Sequence, residues 1–196
     1  MKYVKDISTR TLEVKQSKFI AWLTPYDTYK ITLEKLKLQH PKARHFVTAY
    51  RYLNEYEQIV EHSSDDGEPK GTSGKPSLMV LQGQKLINCA VIIVRYFGGT
   101  KLGTGGLVRA YSDAVNLLID EVDLFEYKKE LMQVFEIEYS DIRLIEYECE
   151  IFGVSVLEKS FDSKSTYKIK ADEVSMKKFL KKMQRVVKIV PKHNQN

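Results

Sequence analysis

The chain is poor in cysteine. Its two thiols, Cys89 and Cys149, lie far apart and have no histidine beside them, which excludes both a disulfide framework and a spaced zinc site. Cys89 opens an apolar run and reads as a small core residue. No apolar run approaches the length of a membrane helix, and no apolar segment follows the N-terminus as it would in a secretory leader. These absences predict a soluble, cytoplasmic protein with no membrane partner. Strong charge of one sign is missing too. The net charge of +5 permits contact with nucleic acid without requiring it. Internal repeats and low-complexity segments are absent. Glycine is scarce outside one stretch: of the 10 glycines, only Gly153 lies beyond Gly67–Gly106.

What is present is organised around Ser63–Asp113. Glycine serves where the backbone takes positive φ or where another group must come close, so the unusual backbone is concentrated in two loops. The first is acidic, Asp65-Asp66-Gly67-Glu68-Pro69. The second runs from Gly98 to Gly106. Before it, Ala90-Val91-Ile92-Ile93-Val94 is a continuous run suited to a strand buried on both faces. After it, Leu107, Val108, Tyr111, Val115, Leu118 and Ile119 recur at helical spacing. A strand, a glycine-rich turn and a helix start form an anion cradle, because backbone N–H groups converge there and the helix dipole adds positive potential.

Two motifs in this stretch, DDGEP-x-GT-x-GKP and VRYFGG-x-x-LGTGGLVRAY, resemble the signature of the YigZ/IMPACT family. Ser17-Lys18-Phe19-Ile20 and His40-Pro41-Lys42-Ala43-Arg44-His45 resemble two earlier family segments. Many relatives carry a cysteine shortly after that histidine; Phe46 and Val47 stand here instead, so no thiol role is carried over. The resemblance implies an α+β protein of two domains. The first, residues 1–125, would be a mixed sheet with helices, like domain 2 of ribosomal protein S5. The second, 126–196, would be ferredoxin-like, as in a domain of elongation factor G. Eukaryotic relatives are linked to control of translation through a protein partner. That partnership depends on an additional domain and is not carried over.

Read in order, the chain predicts strands over Thr11–Lys15 and Phe19–Leu23, then a helix from an Asp27 cap to Gln39. Strands follow over His45–Tyr52 and Tyr56–His62. Pro76 suits the first residue of a short helix that Gly83 ends. The buried strand and the long helix come next. The remainder reads as a strand to Tyr139, a helix from Ser140-Asp141 to Gly153, a hairpin around Asp162-Ser163-Lys164, a helix capped by Asp172, and a strand over Val186–Val190. This βαββαβ order is the ferredoxin-like pattern.

Several residues carry chemistry. In the glycine loop, Gly98, Gly99, Gly103, Gly105 and Gly106 either only let a strand reverse into a helix or also bind phosphate or RNA, with Arg95, Lys101 and Arg109 supplying charge. The spacing is neither a Rossmann fingerprint nor a Walker A. Asp65, Asp66 and Glu68 lack the spacing of a calcium loop; pairing with Arg95, Arg109 or Lys75 is the favoured reading, and no metal or cofactor is assigned. Arg44, His45, Thr72 and Lys75 are accessory candidates. Lys177, Lys178, Lys181, Lys182 and Arg185 form a second basic surface, which as a charge run is usually a solvated helix face. The sequence thus predicts a binding protein linked to translation, with RNA, a ribosome or a translation factor as partner. The alternatives are an enzyme acting on a phosphorylated small molecule or nucleotide and a protein-interaction adaptor.

Overall fold

The computed structural model describes residues 1–190, and the chain divides into two units, Met1–Tyr127 and a second that begins at Lys128. In the first unit, β1 (Lys2–Tyr3) precedes the hairpin of β2 (Ser8–Val14) and β3 (Ser17–Pro25). Helix α1 (Tyr29–Gln39), the hairpin of β4 (His45–Leu53) and β5 (Ile59–Ser64), and α2 (Gly74–Gly83) follow. Then come β6 (Cys89–Tyr96), α3 (Gly103–Ile119) and β7 (Phe125–Glu126), which pairs with β1. One 5-stranded sheet has the order β2-β3-β6-β4-β5. Its adjacent pairings are all antiparallel, so the sheet expected to be mixed is antiparallel, with β3 and β4 running the same way on either side of β6.

Every residue of β6 but the last is buried, because helices cover both faces of the sheet. Val91 and Ile93 meet Leu107, Tyr111 and Val115 on the side of α2 and α3. Ile92 and Val94 meet Leu36 of α1 on the other. Alternation of period two sends neighbouring residues to opposite cores, which is why the run is apolar throughout. Each fully buried Val or Ile contributes roughly 1.5–3 kcal/mol.

The sequence reading departs from the structure at three element starts. Asp27 lies in a 3-10 turn, Tyr26–Thr28, and does not cap α1. Helix α2 begins two residues before Pro76, at Gly74. Tyr56 belongs to the β4–β5 turn, where the Asn54 side chain accepts the N–H groups of Tyr56 and Gln58; it is 74% exposed.

The second unit contains β8 (Glu130–Ile137), α4 (Ile142–Phe152), β9 (Ser155–Phe161), β10 (Ser165–Asp172), α5 (Glu173–Met183) and β11 (Lys188–Ile189). The sheet order β11-β8-β10-β9 is ferredoxin-like. Gly153 ends α4 in the left-handed region, at φ 64°. The Asp172 carboxylate accepts the N–H groups of Val174 and Ser175 and caps α5. Phe135, Tyr167, Ile145, Met176 and Phe179 fill the core. The last strand is shorter than expected, since the N–H groups of Val186 and Val187 both turn back to the Met183 carbonyl.

Candidate functional site

The antiparallel register of β4 and β6 sets His45 opposite Arg95. The acidic loop between β5 and α2 closes over this end of the sheet. Its three carboxylates do different things. Asp65 turns inward to its own loop. It accepts the N–H groups of Gly71 at 2.7 Å, Ser73 at 3.1 Å and Gly74 at 2.8 Å, and the Ser73 hydroxyl at 2.7 Å. Asp66 accepts the Phe46 N–H at 2.6 Å, and its own carbonyl lies 2.8 Å from His45 Nδ1. A carbonyl can only accept, so Nδ1 carries a hydrogen. Glu68 is 8% exposed and pairs with Arg95, itself 6% exposed. The Tyr111 hydroxyl donates to the same Glu68 oxygen at 2.9 Å, and His45 Nε2 lies 4.0 Å from it. Burial, reinforced by the Glu68 charge, pushes the Tyr111 phenol far above its usual range, so it stays a donor. Arg95 Nε is buried without a hydrogen-bond partner among the described residues.

Burial alone would raise the Asp65 carboxyl; the donors from Gly71, Ser73 and Gly74 outweigh it and hold the group below the usual carboxylate range. A depressed folded pKa contributes stability that is present above the unfolded value and lost as pH falls through the folded one. Asp65→Asn should therefore lower the urea midpoint at about pH 7, and the gap to wild type should close as the pH drops below about 4, the ordinary Asp range. A gap that stays constant across this window would refute the assignment.

Two clefts flank Arg95. One, about 340 Å³, is lined by Glu68, Arg95, Phe97, Lys101, Gly103 and Thr104 among others. The other, about 440 Å³, is lined by Lys42, Arg44, His45, Arg95, Tyr96 and Phe97. Glu68 is the one carboxylate among these lining residues, and Arg95 already neutralises it. Lys42, Arg44 and Lys101 are exposed and form no ion pair among the described residues. Helix α3 opens on the first cleft without a side-chain cap, because Leu102 holds the cap position. Its first N–H groups are therefore unclaimed.

Other sequence candidates fall elsewhere. Helix α3 starts at Gly103, with φ 72°, so Gly103 and Gly105 lie in its first turn, where N–H groups lack intrahelical partners, and Gly106 directly follows. Arg109 is exposed further along α3 and is not among the residues that line either cleft. Gly98 packs against the β2–β3 turn, where an added Cβ would meet the Gln16 carbonyl carbon at 2.0 Å, and its N–H donates to Ser17 Oγ at 3.0 Å. Gly99 sits at φ 86°. Thr72 is buried, its hydroxyl turned to the Pro69 carbonyl at 2.7 Å. Lys75 is exposed on α2 and is not paired with the acidic loop. On α5, Lys177 pairs with Glu173, whereas Lys178, Lys181, Lys182 and Arg185 are exposed and unpaired among the described residues. The nearby sheet surface carries ion pairs, Lys170 with Glu130 and Lys168 with Glu158.

Sequence reasoning missed three residues of this region. Lys42 was legible only as part of the segment before His45. Phe97 breaks no pattern, yet an aromatic between a buried strand and a glycine pair has no core to enter. Tyr111 was legible only as one position of the helical face; it is fully buried, and a buried phenol implies a hydroxyl partner.

Residues 15–119 match the model of the Impact N-terminal domain, a range that contains every residue of both clefts. An IMPACT family member of Haemophilus influenzae is 35% identical over 154 residues, 77% of this chain and 75% of that protein. YvyE of Bacillus subtilis is 37% identical over 128 residues, 64% of this chain and 58% of its own length. YigZ of Escherichia coli is 42% identical over 107 residues, 53% and 52% of the two chains. Among solved structures, the crystal structure of a hypothetical protein superposes with a TM-score of 0.68 at 25% identity, over 99% of this chain and 98% of that one. With the family's amino-terminal domain matched over the residues that build the cleft, and a relative aligned over most of both lengths, this chain belongs to the IMPACT family.

Proposed function

We propose that this is a binding protein linked to translation or its regulation, which takes RNA or another phosphate-bearing ligand in the clefts around Arg95. One observation carries the reading: Lys42, Arg44 and Lys101 line clefts whose lining residues include one carboxylate, Glu68, which is buried and already paired. Uncompensated cations beside an open helix start are suited to phosphate. The acidic loop supports the site from beneath, since its carboxylates are engaged by backbone, by Ser73 and by Arg95. The link to translation is taken from the family, whose eukaryotic members are linked to its control. The cations of α5 offer a second, separate surface.

The test is fluorescence anisotropy with a labelled single-stranded RNA across a range of salt. Each phosphate contact on a single strand contributes about −0.7 to the slope of log K against log salt. The Lys42→Ala/Arg44→Ala/Lys101→Ala variant should flatten that slope by about 2, while Lys178→Glu/Lys182→Glu reports on α5 alone. All five positions are exposed, so the variants should fold. If the folded triple variant binds as wild type does, or wild type binds nothing at low salt, the reading falls.

The enzyme alternative has one observation in its favour. The Asp66 carbonyl holds His45 Nδ1, and His45 lines the second cleft with no hydrogen bond at Nε2 among the described residues, which makes it the candidate base. Turnover of a phosphorylated compound that His45→Gln abolishes while binding persists would favour it.

A further inference from the structure

We propose that Phe97 is a stacking post for a nucleobase, and that the clefts on its two sides hold the phosphates flanking that base. The natural ligand is then a single-stranded nucleic acid rather than a plain anion. This rests on the anion-binding reading above and narrows it.

Phe97 follows directly on the buried strand β6, yet it is 56% exposed. A lone exposed ring is ordinary on a protein surface. This one is unusual in where it stands and in how it is held. It lines both clefts, so it forms the wall between them. Cations lie on each side: Lys101 and the open start of α3 on one, Lys42 and Arg44 on the other. Its neighbours fix it from both directions. Tyr96 is still in the ladder, opposite Lys18. Gly98 is bound to Ser17 Oγ and packed so closely on Gln16 and Ser17 that no side chain would fit there. A loose loop could fold the ring inward; this anchored one presents it to the clefts. The Arg95 guanidinium lies 5.9 Å from the ring centroid, the outer limit of a cation–π contact, so it does not clamp the ring.

A rigid aromatic ring between two cationic grooves is how single strands are bound without sequence readout. The grooves follow the backbone, and the ring takes a base, whichever base it is, through its π-face. A duplex keeps its base faces inside its own stack and cannot use the ring. A mononucleotide can stack but brings phosphate to one cleft only. A polyanion without bases uses the cations and ignores the ring.

The experiment compares a labelled single-stranded RNA of about six nucleotides, within the usual site size, with an abasic phosphodiester of equal length, and uses uridine monophosphate as competitor. Wild type should bind the RNA about tenfold more tightly than the abasic strand, the scale of one stacked base. Phe97→Leu should abolish that preference and leave abasic binding unchanged, and Phe97→Trp should keep it. The mononucleotide should compete at least about tenfold more weakly than unlabelled RNA. Equal binding of RNA and abasic strand by wild type would overturn the stacking role and leave the anion reading intact. So would a Phe97→Leu variant that binds RNA unchanged, or one that loses both ligands equally. Competition by the mononucleotide as strong as that by RNA would overturn the strand. No binding of any probe would remove this inference together with the reading beneath it.

Discussion

Arg95→Met is expected to destabilise the protein by about 3–5 kcal/mol, because it leaves the Glu68 carboxylate buried without its counter-charge. Against a total of about 5–15 kcal/mol for an ordinary domain, this is among the largest effects a single change can have here. The sign is not obvious from the salt bridge alone. Removing two charges from water costs nearly as much as their attraction returns, so the pair itself contributes little net stability. The loss arises from the survivor. Glu68 would keep the Tyr111 hydroxyl at 2.9 Å but would lose its guanidinium partner. The double variant Arg95→Met/Glu68→Met should therefore be more stable than Arg95→Met, a coupling that a double-mutant cycle measures directly. Tyr111→Phe should be milder, about 1–2 kcal/mol, for one lost hydrogen bond to a charged acceptor. Urea denaturation of wild type, Arg95→Met, Glu68→Met, their double variant and Tyr111→Phe decides the matter. Strict additivity, or an Arg95→Met loss below about 1 kcal/mol, would show that the pair is solvated and not structural. This is also why binding is probed at Lys42, Arg44 and Lys101, which can be removed without disturbing the core.

Gly98→Ala should be at least as damaging, and for a steric reason. The new methyl would lie 2.0 Å from the Gln16 carbonyl carbon and 2.2 Å from the Ser17 nitrogen. Both are backbone atoms of a tight turn in which Lys15 and Gln16 already have positive φ, at 46° and 65°, so neither can rotate aside as a side chain would. Relief requires parting the β6 exit from the β2–β3 hairpin and losing the Gly98–Ser17 hydrogen bond. The expected loss is about 3 kcal/mol or more, at the upper end for overpacking. Gly105→Ala is the control. Outside its own helix backbone, no atom of the described residues lies within 4 Å of its added methyl, and alanine is the better helix former by up to about 1 kcal/mol. Two glycines of one motif should thus respond with opposite signs in thermal denaturation. If both variants melt alike, the close approach at Gly98 is not a constraint on the fold.

The residues that were legible in the sequence are those whose reasons are local. Gly153 and Asp172 mark helix ends because a left-handed cap and a carboxylate cap depend on a few adjacent residues. Strand β6 was legible because burial on both faces leaves an unbroken apolar run. The acidic loop was only half legible. Opposite charge pointed Glu68 towards Arg95, but it could not reveal that Asp65 and Asp66 are taken up by N–H groups, since that depends on how the loop turns and not on charge. The start of α3 was blurred by its own glycines, which permit a helix anywhere from Gly103 to Gly106. Lys42 and Phe97 carry no pattern at all. They become a site only when the pairing of β4 with β6 brings two distant loops to the same end of the sheet.

That pairing also sets an order of events during synthesis. Strand β6 is central in the five-stranded sheet, yet it is the last of the five to leave the ribosome. Until it arrives, the chain holds two separate hairpins, β2–β3 and β4–β5, and the inner edges of β3 and β4 are bare. Bare edges invite pairing with the wrong chain, and closing the sheet requires contacts between distant segments, which form slowly. Arg95, Phe97 and Gly98 arrive with this strand or directly behind it, so the site does not exist in any partly assembled sheet. The centre of the sheet and the residues around Arg95 are thus laid down by one short segment, so an event that misplaces β6 would disturb the core and both clefts together.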